Sequence, residues 1–142
     1  MANRRTKKTP SAVVAAETLR LQRAKESLLG ARADFSAKRY NNVASRCYYA
    51  AFHAAVAFLI NEGIRPEHNR WQHSTVWREF SKLGKRTPED RQAGATLSSL
   101  YALRVAADYA LRQVSRQDAA EVIIRASEIV TLATKRIGGQ KG

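Results

Sequence analysis

The stretch Tyr40–Asn61, YNNVASRCYYAAFHAAVAFLIN, carries one formal charge, Arg46, in 22 residues and contains neither Gly nor Pro. Small, aliphatic and aromatic residues occupy most positions on every side of a notional helix. A helix that is apolar all round belongs in a protein core or a bilayer. The continuous run Cys47 to Ile60 already includes His53 and falls short of the ~20 apolar residues a bilayer requires. The stretch therefore reads as a core helix, and the polar groups on it need partners or a purpose. Arg46, Tyr49 and His53 fall three and four residues apart, which places them on one stripe.

Working outward, the spacing predicts four further helices and no strand. Residues 1–10 read as a flexible basic tail. A long amphipathic helix runs from Ser11 to about Ala37, with Val14, Leu19, Leu21, Ala24, Leu28, Ala31 and Phe35 as its apolar face. Gly30 inside it predicts close packing against a neighbour. Asn41 or Asn42 is expected to cap the core helix, and Gly63 to close it in the left-handed conformation. Trp71, Val76, Trp77 and Phe80 mark a shorter helix over Gln72 to Leu83, ended by Gly84-Lys85-Arg86. Thr87-Pro88-Glu89-Asp90 starts a fourth, expected to run to about Gln113 with Leu97, Leu100, Tyr101, Arg104, Val105, Asp108 and Leu111 near one face. Ser115 and Asp118 start the fifth. The expected architecture is an all-α, mostly antiparallel up-down bundle of four to five helices spanning 11–137, with 138–142 as a second flexible tail.

The chain has 142 residues and a net charge of +13. Seven surplus charges lie at the ends (Arg4, Arg5, Lys7, Lys8, Lys135, Arg136, Lys141), leaving about +6 on the body. Such a surplus suits phosphate-bearing partners and also keeps a small protein soluble. The lone cysteine, Cys47, reads as a buried hydrophobe and fits a reducing compartment. The N-terminus has no apolar stretch of the kind that directs secretion. His53, His68 and His73 lack Cys or carboxylate partners at ligand spacing, and no Gly-rich phosphate loop is present, so neither a metal nor a cofactor is expected. Arg104 and Asp108, four apart, can pair along the fourth helix.

The run Ser45-Arg46-Cys47-Tyr48-Tyr49-Ala50-Ala51-Phe52-His53-Ala54-Ala55, with the later Leu103-Arg104 and Ala107-Asp108-Tyr109, resembles small prokaryotic HEPN-domain proteins. The likeness covers nearly all of residues 11 to 134. It implies a helical bundle, a homodimer, and a toxin–antitoxin or defence setting beside a minimal nucleotidyltransferase antitoxin. Active members of the superfamily are metal-independent endoribonucleases with an Arg, four to six intervening residues, and then a His. Here that His is absent after Arg104, and Asp108 and Tyr109 stand near its place. Arg46 and His53 have the spacing, but on the second helix. An imidazole must take the ribose 2′-hydroxyl proton and a cation must steady the phosphate.

The catalytic reading therefore assigns Arg46 and Arg104 to phosphate, His53 as base, and Asp108 and Tyr109 as orienting groups. Tyr49 and His73 join Arg46 and Arg104 as RNA-binding residues. Arg46, His53, Arg104 and Asp108 are expected to converge in one groove between the second and fourth helices. The alternative is a non-catalytic nucleotide- or RNA-binding or scaffold module of a nucleotidyltransferase complex. A cytoplasmic location and no membrane association are expected. The aromatic third helix offers apolar surface for the dimer.

Overall fold

The structure, a computed structural model, describes residues 10–66, 70–83, 87–109 and 112–139. Within them the chain is five helices in the order α1 Pro10–Ser36, α2 Tyr40–Asn61, α3 His73–Leu83, α4 Pro88–Tyr109 and α5 Arg116–Gly139. It is an all-α bundle with no strand among the described residues. Of the expected tails at 1–10 and 138–142, Pro10, Gly138 and Gly139 are helical, and the rest, with His68, Gly84-Lys85-Arg86 and Leu111, lie outside the described residues.

α2 is the axis of the bundle, and α1, α3, α4 and α5 all pack against it. Thirteen of its 22 residues are buried, as its lack of a wide polar face requires. By length and composition α2 could cross a membrane, but 72% of its most apolar window is covered by the other helices. Phe58, Leu59, Val43, Val56 and Cys47 are fully enclosed. Burial pushes the Cys47 thiol up to about 12, so it stays a neutral hydrophobe.

Each neighbour supplies the stripe its periodicity predicts, with exceptions. On α1, Ala24, Leu28 and Ala31 are buried. Val14 and Leu19, expected on that face, are 42% and 47% exposed, because the inward stripe there runs through Val13, Ala16, Glu17 and Leu21 instead. Phe80 of α3 meets Phe58 edge-on at 5.4 Å, whereas Trp77 faces outward. α5 buries Ala119, Val122, Ala126, Ile129 and Ala133, and continues through Gly139 beyond its expected end.

The helix ends follow local chemistry. Lys38, at φ 63°, closes α1 with Arg39 N–H donating to Asp34 O at 2.8 Å. Gly63, at φ 82°, closes α2 with Ile64 N–H donating to Leu59 O at 3.0 Å. Both are Schellman closures, which place one residue in the left-handed region. Thr87 Oγ1 accepts from Asp90 N–H at 3.0 Å and Ser115 Oγ from Asp118 N–H at 3.0 Å, the two expected caps. The expected Asn cap on α2 does not form, because α2 starts at Tyr40, ahead of both asparagines, and Arg39 stands at its cap without a side-chain bond. Asn41 instead reaches the α4–α5 connection: its Oδ1 accepts from Val114 N–H at 2.9 Å and its Nδ2 donates to Arg112 O at 3.0 Å. α4 accordingly ends at Tyr109, short of Gln113.

Candidate functional site

The polar residues singled out in the sequence form two groups on different sides of α2, not one groove. The first ties α2 to α1. Arg46 Nε donates to Asp34 Oδ2 at 2.6 Å, and Arg39 Nε to Asp34 Oδ1 at 3.0 Å. These two guanidinium groups hold the Asp34 carboxyl below its usual range against the opposing effect of burial. Gly30 makes room for this arrangement, since a Cβ there would lie 2.8 Å from Arg46 Nη1 and 3.0 Å from its Cδ. His53 Nδ1 accepts from Arg20 Nη1 at 3.0 Å. Burial, with Arg20 and then Arg23 beside it, lowers His53 to about 4. His53 is therefore neutral at pH 7, with Nδ1 already engaged.

The second group lies where α2, α3 and α4 meet. His73, the first residue of α3, stacks on Tyr101 of α4 with centroids 3.5 Å apart and planes 16° apart. Its Nδ1 lies 2.7 Å from the Tyr48 hydroxyl of α2. The Arg104 guanidinium sits 5.5 Å from the Tyr48 ring centre and 5.1 Å from that of Tyr49, within cation–π range. Burial first, and then the Arg104 charge, lower the His73 imidazole, while burial raises the Tyr48 phenol. A neutral imidazole and a permanent cation thus meet on one tyrosine.

Arg104 keeps donor capacity. Its Nε lies 3.4 Å from Asp108 Oδ2, yet it is buried and has no hydrogen bond among the described residues. The distance fits charge attraction without the alignment a hydrogen bond needs. The Asp108 side chain is 36% exposed and that of Arg104 21%, so the pair is partly buried. Tyr109 is 73% exposed. Tyr49, at 40% exposed, leaves ring surface open beside Arg104. Among the described residues no group of three or more His, Cys, Asp and Glu side chains could hold a metal ion.

The structure brings together Arg104, Tyr49 and His73, three of the expected RNA-binding residues, and holds Arg46 and His53 apart from them against α1. Tyr48 and Tyr101 were not foreseen as site residues. Their signal was faint: two tyrosines on predicted core faces, each with a hydroxyl that must find a partner when buried.

Comparison with known proteins agrees with this architecture. A sequence model described as the HEPN domain matches residues 18–137. The chain belongs to the HEPN-domain family. It is 28% identical over 117 residues to a "UPF0332 protein" of Archaeoglobus fulgidus, covering 82% of this chain and 90% of that one. It is also 28% identical over 115 residues to a Methanocaldococcus jannaschii protein named "Putative toxin", covering 80% and 83% respectively.

Proposed function

We propose that this HEPN-family chain is a toxin-like protein that binds RNA through Arg104, His73, Tyr48, Tyr49 and Tyr101, and acts in the cytoplasm as a homodimer. The observation that carries the reading is the Arg104 guanidinium, set on two tyrosines beside a neutral imidazole with a buried Nε–H that lacks a hydrogen-bond acceptor among the described residues. A phosphate oxygen is the acceptor such a group suits, and the open face of Tyr49 suits a stacked base. The named toxin among its relatives supports the toxin-like part. A minimal nucleotidyltransferase is the partner that the family resemblance suggests.

In the cleaving form, His73 carries its proton on Nδ1, donates to Tyr48, and presents Nε2 as a base to the ribose 2′-hydroxyl. The 2′ oxygen then attacks phosphorus, Arg104 steadies the developing charge, and the departing 5′ oxygen takes a proton from solvent. In the other tautomer Tyr48 donates to Nδ1 and Nε2–H contacts phosphate, which binds RNA without cutting it. The Asp108 that stands near the expected histidine position on α4 favours this second, non-catalytic form. Arg46 and His53 serve as ties to α1 in both.

Arg104→Ala tests the reading in an RNA-binding and cleavage assay with melting curves alongside. Because Asp108 is already solvated, the loss in stability should be near 1 kcal/mol, the scale of one cation–π contact, while RNA affinity falls by about tenfold or more. Unchanged affinity would count against the proposal.

A further inference from the structure

The α3–α4 seam continues beyond His73 and Tyr101. One turn along α3 stands Trp77, and with Asp90, Arg91, Gly94 and Ser98 of α4 it lines an open groove of about 450 Å³. That volume is of the size that takes a small ring-bearing ligand. Trp77 is 44% exposed, a large aromatic surface given to the groove and not to the core. A Cβ built on Gly94 would meet nothing within 4 Å, so the glycine leaves space along this wall.

Asp90 is 3% exposed. Its Oδ1 accepts from Arg136 Nη2 at 2.7 Å, but its Oδ2 is buried with no hydrogen-bond partner among the described residues. A buried acceptor without a donor is costly enough to call for an explanation. The ligand that supplies the donor should be neutral there, because Arg136 already balances the carboxylate and Arg91 adds positive charge to the wall. Among nucleobases, only guanine presents two adjacent N–H donors on its pairing edge. Adenine and cytosine set an acceptor beside their amino group, and uracil flanks its single N–H with two carbonyls; each would turn a lone pair toward the carboxylate.

We propose that this groove is a guanine-binding pocket, in which the base stacks on Trp77, its N1–H and N2–H donate to the Asp90 carboxylate, and its phosphate meets Arg91. The proposal rests on the RNA-binding reading and gives it a base preference. Asp90 and Arg104 are fourteen residues apart on α4, roughly 20 Å at ~1.5 Å per residue. A guanine held at Trp77 would therefore lie a few nucleotides from the phosphate held at Arg104.

The test is titration of the wild-type chain with GMP, AMP, CMP and UMP, read by tryptophan fluorescence and calorimetry. GMP should quench the fluorescence and bind about tenfold tighter than the other three, as hydrogen-bond readout of one base allows. Gly94→Leu, which fills open space and suits a helix, should melt like the parent and lose GMP binding. Asp90→Asn should narrow the preference for GMP. Equal affinity for all four nucleotides, no binding at millimolar concentration, or GMP binding intact in Gly94→Leu would each overturn the pocket. GMP selectivity without Arg104-dependent RNA binding would keep the pocket and remove the RNA function. RNA binding that needs Arg104 but shows no guanine preference would do the reverse.

Discussion

His53 shows how a residue at motif spacing can be held in a contact that the motif does not foresee. It stands seven residues after Arg46 with the spacing of a catalytic pair, yet it bonds to Arg20 on α1. Its imidazole is lowered to about 4, chiefly by burial, against about 6.5 in an unfolded chain. Between those values the unfolded chain binds the proton more readily, so stability rises with pH. The contribution of His53 is complete above about pH 6.5 and is lost as pH falls toward 4. Melting temperatures from pH 4 to 7.5 should show this decline, and His53→Gln should flatten it; an unchanged slope in the variant would contradict the assignment. Gly30 gives the complementary lesson. The sequence implied a close neighbour for it, but nothing in the residue order says that the neighbour is the Arg46 side chain.

Among the elements, α2 was legible because composition alone decides it: a helix with one charge has no face to offer water. The capping pairs at Thr87 and Ser115 were legible because their bonds span only three residues. The end of α4 was not, because it is set by a residue far away in the chain. Asn41 bonds Val114 N–H and Arg112 O, more than 70 positions distant, and so fixes the α4–α5 connection to the start of α2. Asn41→Ala would strand the Val114 amide, in a residue only 3% exposed, at a cost of about 1–3 kcal/mol. Asn41→Asp keeps the acceptor and should lose less. Urea unfolding of the two variants checks the order; equal losses would mean that the Val114 bond contributes little.

Across the whole molecule, the bundle could be read from periodicity, but the site could not, because helical spacing does not say which neighbour each face of α2 meets. Arg46 and Tyr49 are three residues apart, yet one pairs with α1 and the other lies under Arg104 of α4. The expected dimer surface is likewise revised: Phe80 belongs to the core, and of the α3 aromatics Trp77 is the one substantially exposed. A homodimer remains the proposed state, and light scattering across a concentration series should give twice the 15.8 kDa chain mass; a monomer throughout would refute it.

The proposed working histidine is His73 on α3, with His53 a structural tie to α1. The most direct test is to measure RNA binding and cleavage for His73→Ala and His53→Ala side by side, each with its melting curve. His73→Ala should lose RNA affinity or cleavage by about tenfold or more, with helix content retained. His53→Ala, once folded, should handle RNA like the parent. RNA handling that fails in folded His53→Ala and survives in His73→Ala would contradict this assignment.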